Sequence, residues 1–253
     1  MIAIMLQVCL NGVRERSACE LLPVTPQELG DAAAEAVAAG AGAVHIHPKD
    51  GKGADTMAAV HVDAAVAAVR ASAPGVPIGV TTGEWTEPDP KRRAALVRSW
   101  SVLPDHASVN WHEEGAELVA TALLETGVGI EAGLFSGTAA AARLRAWPHA
   151  RRVLRILAEV TDTDPATAPG TALALLGELA ALDGLDMMAR LPVLLHGEEG
   201  GAWPVLRVAA ERGLDTRIGL EDVTVLPDGS PAAGNAALVL AAREILSGRA
   251  ARR

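Results

Sequence analysis

The segment "AVHIHPKDG", residues 43 to 51, places two histidines one residue apart at the end of an apolar run. In an extended strand, residues i and i+2 share a face, so His45 and His47 project together and Ile46 points the other way. Such a pair can be two ligands of a metal, or two hydrogen-bonded histidines that close a strand. A third ligand must come from another strand end, and "RIGLEDV" at 217–223 offers Glu221 and Asp222. Two imidazoles and one carboxylate with a position left open make a catalytic zinc pattern rather than a closed structural one. The same donors suit Fe(II) or Mn(II). His196, in "LLHGEEGGAW", is a rival ligand. Arg217 precedes Glu221 by four residues, and its charge beside Asp222 would keep that carboxylate ionised and oriented. Lys49 and Asp50 either support the ligands from behind or belong to an exposed turn.

Other apolar runs also end in polar residues. "TTGEW" offers Thr81 and Thr82 as donors to a carboxylate, with Gly83 admitting a close backbone approach; a plain loop is the alternative. In "SVNWHEE", Ser108 and Asn110 share a strand face, which points to ligand contact, whereas His112 is expected outside. Glu131 is a lone acid in the apolar "VGIEAGLF". A buried carboxylate is costly unless paired, so it needs a cation, a ligand, a metal-bound water or a salt bridge inside the fold. Glu159, Glu198 and Glu199 complete the acidic strand ends.

These side chains need a scaffold that gathers strand ends. Short β-branched runs near 2–10, 43–47, 76–81, 106–111, 128–133, 153–160, 191–196 and 216–220 alternate with Ala-rich segments of helical period. Thr25, Pro26 and Glu28 form a capping-box signature at the first helix, and Gly40 is expected to close it. Eight strand–helix units predict a single (β/α)8 TIM barrel over 1–253, with chemistry at the C-terminal strand ends. An open doubly wound sheet would want a glycine-rich first turn, where this chain has "NGVRERS". In a closed ring only the first strand separates the second from the eighth, so His45, His47 and Glu221 can meet.

The chain has 253 residues, half of them apolar, and a formal net charge of −9. No basic block exceeds "KRR", which argues against nucleic acid, and no apolar run approaches the roughly 20 residues of a membrane span. No signal peptide is read at the start. Cys9 and Cys19 are expected to be reduced thiols, and the location cytoplasmic.

Together, "LPVTPQELGDAAAEAVAAGAGAVHIHPKDG", "TTGEW", "SVNWHE", "IEAGL" and "RIGLEDV" occur in order over about 21–240 and resemble the β-keto acid cleavage enzymes, whose founding activity is 3-keto-5-aminohexanoate cleavage. The resemblance implies a barrel, usually tetrameric, holding a divalent metal, typically zinc, on His45, His47 and Glu221. It implies a proton-handling dyad of Arg217 and Asp222, and a substrate pocket lined by Thr81, Ser108, Asn110 and Glu131. It implies that a β-keto acid and acetyl-CoA become acetoacetate and a new acyl-CoA by a Claisen and retro-Claisen sequence, with Asp222 drawing its proton from the acetyl methyl group. Where the family often has an acid after the first strand, this chain has Arg14, which would favour an anionic or neutral keto acid over an amine. A metal-dependent aldolase or hydrolase working without CoA, or a barrel that binds a small acid without turnover, are the alternatives.

Overall fold

A computed structural model describes residues 4–181 and 191–248. Among them, eight parallel strands form one sheet in the order β7-β6-β5-β4-β3-β2-β1-β8. The strands are β1 (Leu6–Cys9), β2 (Ala43–Ile46), β3 (Ile78–Thr81), β4 (His106–Asn110), β5 (Gly129–Phe135), β6 (Arg155–Val160), β7 (Val193–Gly197) and β8 (Thr216–Ile218). The ring closes where Leu195 N donates to Asp215 O at 2.9 Å and Thr216 Oγ1 donates to Leu195 O at 2.8 Å. The helices are α1 (Pro26–Ala38), α2 (Ala59–Ser72), α3 (Pro90–Ser99), α4 (Ala116–Thr126), α5 (Ala140–Ala146), α6 (Ala168–Ala181), α7 (Ala202–Arg212) and α8 (Asn235–Gly248). They alternate with the strands, as a (β/α)8 barrel requires. Residues 2 and 3 of the first expected strand lie outside the described residues.

Each strand is buried on both faces, so its outward residues pack under helices while its inward residues fill the ring. Val44 and Ile46 face outward into the apolar layer with Leu29 and Val66, all fully buried. Helix α1 starts as the sequence predicts: Thr25 accepts from Glu28 N, and Glu28 accepts from Thr25 N. Its C-cap is Ala39 rather than Gly40; Gly40 follows at φ 110°, where the chain turns towards β2.

The floor of the barrel is polar. Arg155, at the start of β6, donates from Nε to Glu131 Oε1 at 2.5 Å, and Gln7 Nε2 donates to the same oxygen at 3.3 Å. His106 Nε2 lies 3.3 Å from both Gln7 Nε2 and Arg155 NH2, and 3.7 Å from Glu131 Oε2. Burial alone would raise the Glu131 pKa, but the charges of His106 and Arg155 bring it down to about 2. Glu131 is therefore a structural anion locked into an ion pair below the cavity, one of the options left open by the sequence, rather than a group lining the pocket.

Candidate metal centre and active site

Strand β2 delivers His45 inward, and His47 follows just beyond its last residue on the same side. Across β1, the turn after β8 delivers Glu221. One donor atom from each of His45, His47 and Glu221 lies within 4.8 Å of the others. Glu221 reaches this place over Gly12, whose φ is 58° and where an added Cβ would stand 2.4 Å from Glu221 Cγ. Any side chain at Gly12 would both strain the turn and push the carboxylate away.

The donors are prepared but incompletely satisfied. His47 Nδ1 lies 2.8 Å from Asp55 Oδ2, which leaves Nε2 turned to Glu221 Oε2 at 3.6 Å. His45 Nδ1 and Glu221 Oε2 are buried with no hydrogen-bond partner. Unpaired buried polar atoms are costly, and three of the right donor types converging on one point fit a divalent cation. Burial would lower the His47 pKa, yet Glu221 and Asp55 raise it to about 9. Burial dominates at His45, lowering it to about 3. At Glu221 the charges of Arg217 and His47 overcome burial and hold the carboxyl well below its usual range.

Arg217 NH2 donates to Glu221 Oε1 at 2.9 Å and to Asp222 Oδ1 at 3.0 Å. Asp222 Oδ2 is buried without a partner, and burial raises this carboxyl despite Arg217. A carboxylate held by one oxygen and free at the other is suited to accept a proton.

These groups line a cavity of about 330 Å³ with Thr81, Ser108 and Asn110 on the adjoining strands and Glu159, His196 and Glu198 further round. Asn110 Nδ2 is fixed by Glu113 Oε1 at 2.7 Å. A larger groove of about 650 Å³ runs along α7, but prolines, Trp203 and valines dominate it, and its Glu199, Arg207 and Glu211 are exposed.

Several expected contacts take another form. Thr82 does not line the cavity; its hydroxyl donates to Ser108 O at 2.6 Å, tying β3 to β4. The space over Gly83 goes to the Trp85 ring, 2.1 Å from where a Cβ would stand, and not to a ligand. Arg14 is outside the cavity, with its guanidinium on Glu199 and its Nε donating to Glu221 O at 3.1 Å. It steadies the Glu221 turn, so the anion preference drawn from it loses its geometric basis. His196 lies 3.6 Å from Asp222 Oδ1 and lines the cavity wall without joining the His45–His47–Glu221 group. Asp50 caps an exposed turn through Lys52 N and Ala54 N, whereas Lys49 is buried and bonded to Asp55 and to Gly12 O.

Asp55 is the group the sequence reading missed. The turn after His47 brings it back to bond His47, Lys49 and Trp85 Nε1, the last at 2.8 Å. Trp85 stacks on His47 at 5.9 Å between ring centroids. Asp55 lies eight positions after His47, and no spacing rule flags that return.

The fold and the site define a TIM-barrel protein with three residues that could hold a metal ion and a buried Arg–Asp pair at the C-terminal strand ends. The sequence pattern of the beta-keto acid cleavage enzyme family matches residues 3–252, so the chain belongs to that family, whose members are carbon–carbon-cleaving enzymes. Solved structures similar to it include the apo structure of ObcA, at a TM-score of 0.68 and 20% identity over 91% of this chain and 62% of that one. The ternary complex of ObcA with a C4-CoA adduct and oxalate aligns at 0.67 and 18%, over 91% and 64%. The 3-hexulose-6-phosphate synthase of Salmonella typhimurium aligns at 0.56 and 13%, over 97% and 100%. At these identities the likeness is one of fold, and the chain spans less than two thirds of the ObcA chains. No curated protein matches the sequence. No helix of the described residues is long and apolar enough to cross a membrane.

Proposed function

We propose that the protein condenses a β-keto acid with acetyl-CoA, giving acetoacetate and a new acyl-CoA, with a divalent metal, most simply Zn2+, on His45, His47 and Glu221. The observation that carries this reading is the convergence of one donor atom each from His45, His47 and Glu221, with Glu221 Oε2 buried and unpartnered, beside the half-free carboxylate of Asp222. The family match and the CoA adduct in the ObcA complex support it. A divalent cation there supplies a Lewis acid for the keto oxygen.

Product connectivity fixes which proton moves. Acetoacetate retains the acetyl methyl intact and gains C2 of the keto acid, so Asp222 Oδ2 takes its proton from C2, not from the acetyl methyl as expected from the sequence. The C2 carbanion bonds to the acetyl carbonyl carbon, whose thioester bond breaks. The released thiolate adds to C3, the C2–C3 bond breaks, and the electron pair left on C2 recovers the proton from Asp222. Arg217 holds Asp222 in place throughout and favours its charged form. Thr81, Ser108 and Asn110 present hydroxyl and amide donors to the oxygens that gain charge. The test is a β-keto acid panel incubated with Zn2+-loaded protein, with and without acetyl-CoA. Acetoacetate and acyl-CoA must both form, and only with acetyl-CoA; cleavage without it would replace this reading by an aldolase or hydrolase. The homotetramer and cytoplasmic location expected of the family belong to the same proposal, and sedimentation of the purified protein tests the assembly.

A further inference from the structure

His47 and Glu221 stand just past the point where strand pairing ends, and two buried asparagines take over from it there. On one side of β1 the ladder to β2 runs as far as the bond from Leu10 N to His45 O, at 3.0 Å. In a continued parallel ladder His47 N would donate to Leu10 O, and Gly12 N to His47 O. Here the side chain of Asn11 takes both His47 groups instead: His47 N donates to its Oδ1, and its Nδ2 donates to His47 O, each at 2.9 Å. On the other side of β1 the chain slips by one residue. A continued ladder to β8 would send Leu220 N to Cys9 O, but Glu221 N donates to that oxygen, at 3.2 Å. Gly219 permits the slip, because a Cβ there would stand 1.9 Å from Cys9 O. Leu220 N, thus displaced, donates to Asn235 Oδ1 at 2.9 Å, and Asn235 Nδ2 donates to Leu10 O at 3.0 Å.

Four backbone groups left behind by the ending sheet are therefore met by two side-chain amides, as buried backbone requires. Asn11 is fully buried and Asn235 nearly so. The residues they hold are the ones that matter to the site. Asn11 ties the main chain of His47 to β1, and Asn235 ties Leu220, the residue before Glu221, to the same strand. His47 Nε2 and Glu221 Oε2 thereby face each other at 3.6 Å from opposite sides of β1. Asparagine suits this place because its amide carries the donor and acceptor of a peptide group and no titratable charge. We infer that Asn11 and Asn235 are positioning residues of the metal centre, splices that fix the His47 and Glu221 segments at the separation one cation requires. The inference rests on the reading of His45, His47 and Glu221 as a metal site.

The experiment measures Zn2+ affinity by chelator competition and the visible absorption of Co2+-loaded protein, which reports ligand geometry. Asn11→Ala and Asn235→Ala should each weaken Zn2+ binding about 10–100-fold and alter the Co2+ spectrum. Thr216→Val is the control: it removes another buried side-chain bond of β8, the one to Leu195 O that closes the ring on β7. It should keep wild-type Zn2+ affinity and the wild-type Co2+ spectrum. Unchanged affinity and spectrum in both asparagine variants, or equal losses in Thr216→Val, overturn the inference and leave the metal reading standing. Amide hydrogen exchange of the metal-free wild type needs neither a cation nor a folded variant. The His47 and Leu220 amides should exchange as slowly as that of Val44, which bonds Pro77 O within β2; exchange as fast as in an exposed loop overturns the inference. If the wild type binds neither Zn2+ nor Co2+, the metal reading fails, and this exchange alone decides whether the asparagines fix the two segments.

Discussion

Two buried polar clusters share one barrel, and they are built to opposite specifications. At the floor, Arg155, Gln7 and His106 surround one anion, Glu131, with Arg155 and Gln7 both bonded to its Oε1 and one atom, Oε2, left without a partner. At the mouth, four carboxyls and three imidazoles line one cavity with Arg217, and five of their polar atoms, on His45, His196, Glu221 and Asp222, are buried without a partner. A network whose charges are paired internally stiffens a core, whereas one left open at many atoms has binding capacity to spend. Burial alone does not mark a functional residue: Glu131 is more buried than Glu221 and is occupied structurally.

Substitutions in each cluster should separate these roles. Asp222→Asn should lower turnover by about 10²–10⁴-fold, the usual worth of a general base, while metal content stays unchanged; near wild-type activity would remove Asp222 as the base. Arg155→Met should leave metal content intact but cost about 3–5 kcal/mol in urea unfolding, because Glu131 is then a buried charge without its main partner. If instead metal were lost at full stability, the floor would belong to the site.

Asp55→Ala should weaken metal binding about 10–100-fold in a chelator competition, since no acceptor then holds Nδ1 of the His47 ring with Nε2 inward. Asp55→Asn should recover part of that loss, because an amide oxygen still accepts from Nδ1–H. The smallest effect lies far from both clusters. Thr25→Ala should cost about 1 kcal/mol through loss of the helix cap. Chiefly through backbone N–H donors, the Glu28 carboxyl is lowered from 4.5 to about 2. The folded form thus favours its charged state, so that contribution is full above the ordinary carboxylate range and fades as pH falls towards about 2. Acid titration of unfolding in the wild type and in Glu28→Gln checks it.

What the sequence could reveal follows from how local each signal is. The alternation of strand and helix, the capping box and the shared face of His45 and His47 depend on neighbours within a few residues, and they read directly. Glu221 became legible because ring closure leaves only β1 between β8 and β2. Glu131 was ambiguous because its partners, Arg155 and His106, lie on other strands and no spacing rule pairs them. Arg14 misled for a related reason: a long side chain at a rim can turn outward to Glu199 as readily as inward. Asp55 was invisible because its role depends on a turn folding back onto His47.

The central claim is that His45, His47 and Glu221 hold one divalent cation at the barrel mouth. Protein loaded with Zn2+ and dialysed, then assayed by elemental mass spectrometry, tests it most directly. The wild type should retain about one zinc per chain, and His47→Ala and Glu221→Gln should retain almost none with unchanged circular dichroism. Full zinc retention by His47→Ala would contradict the account.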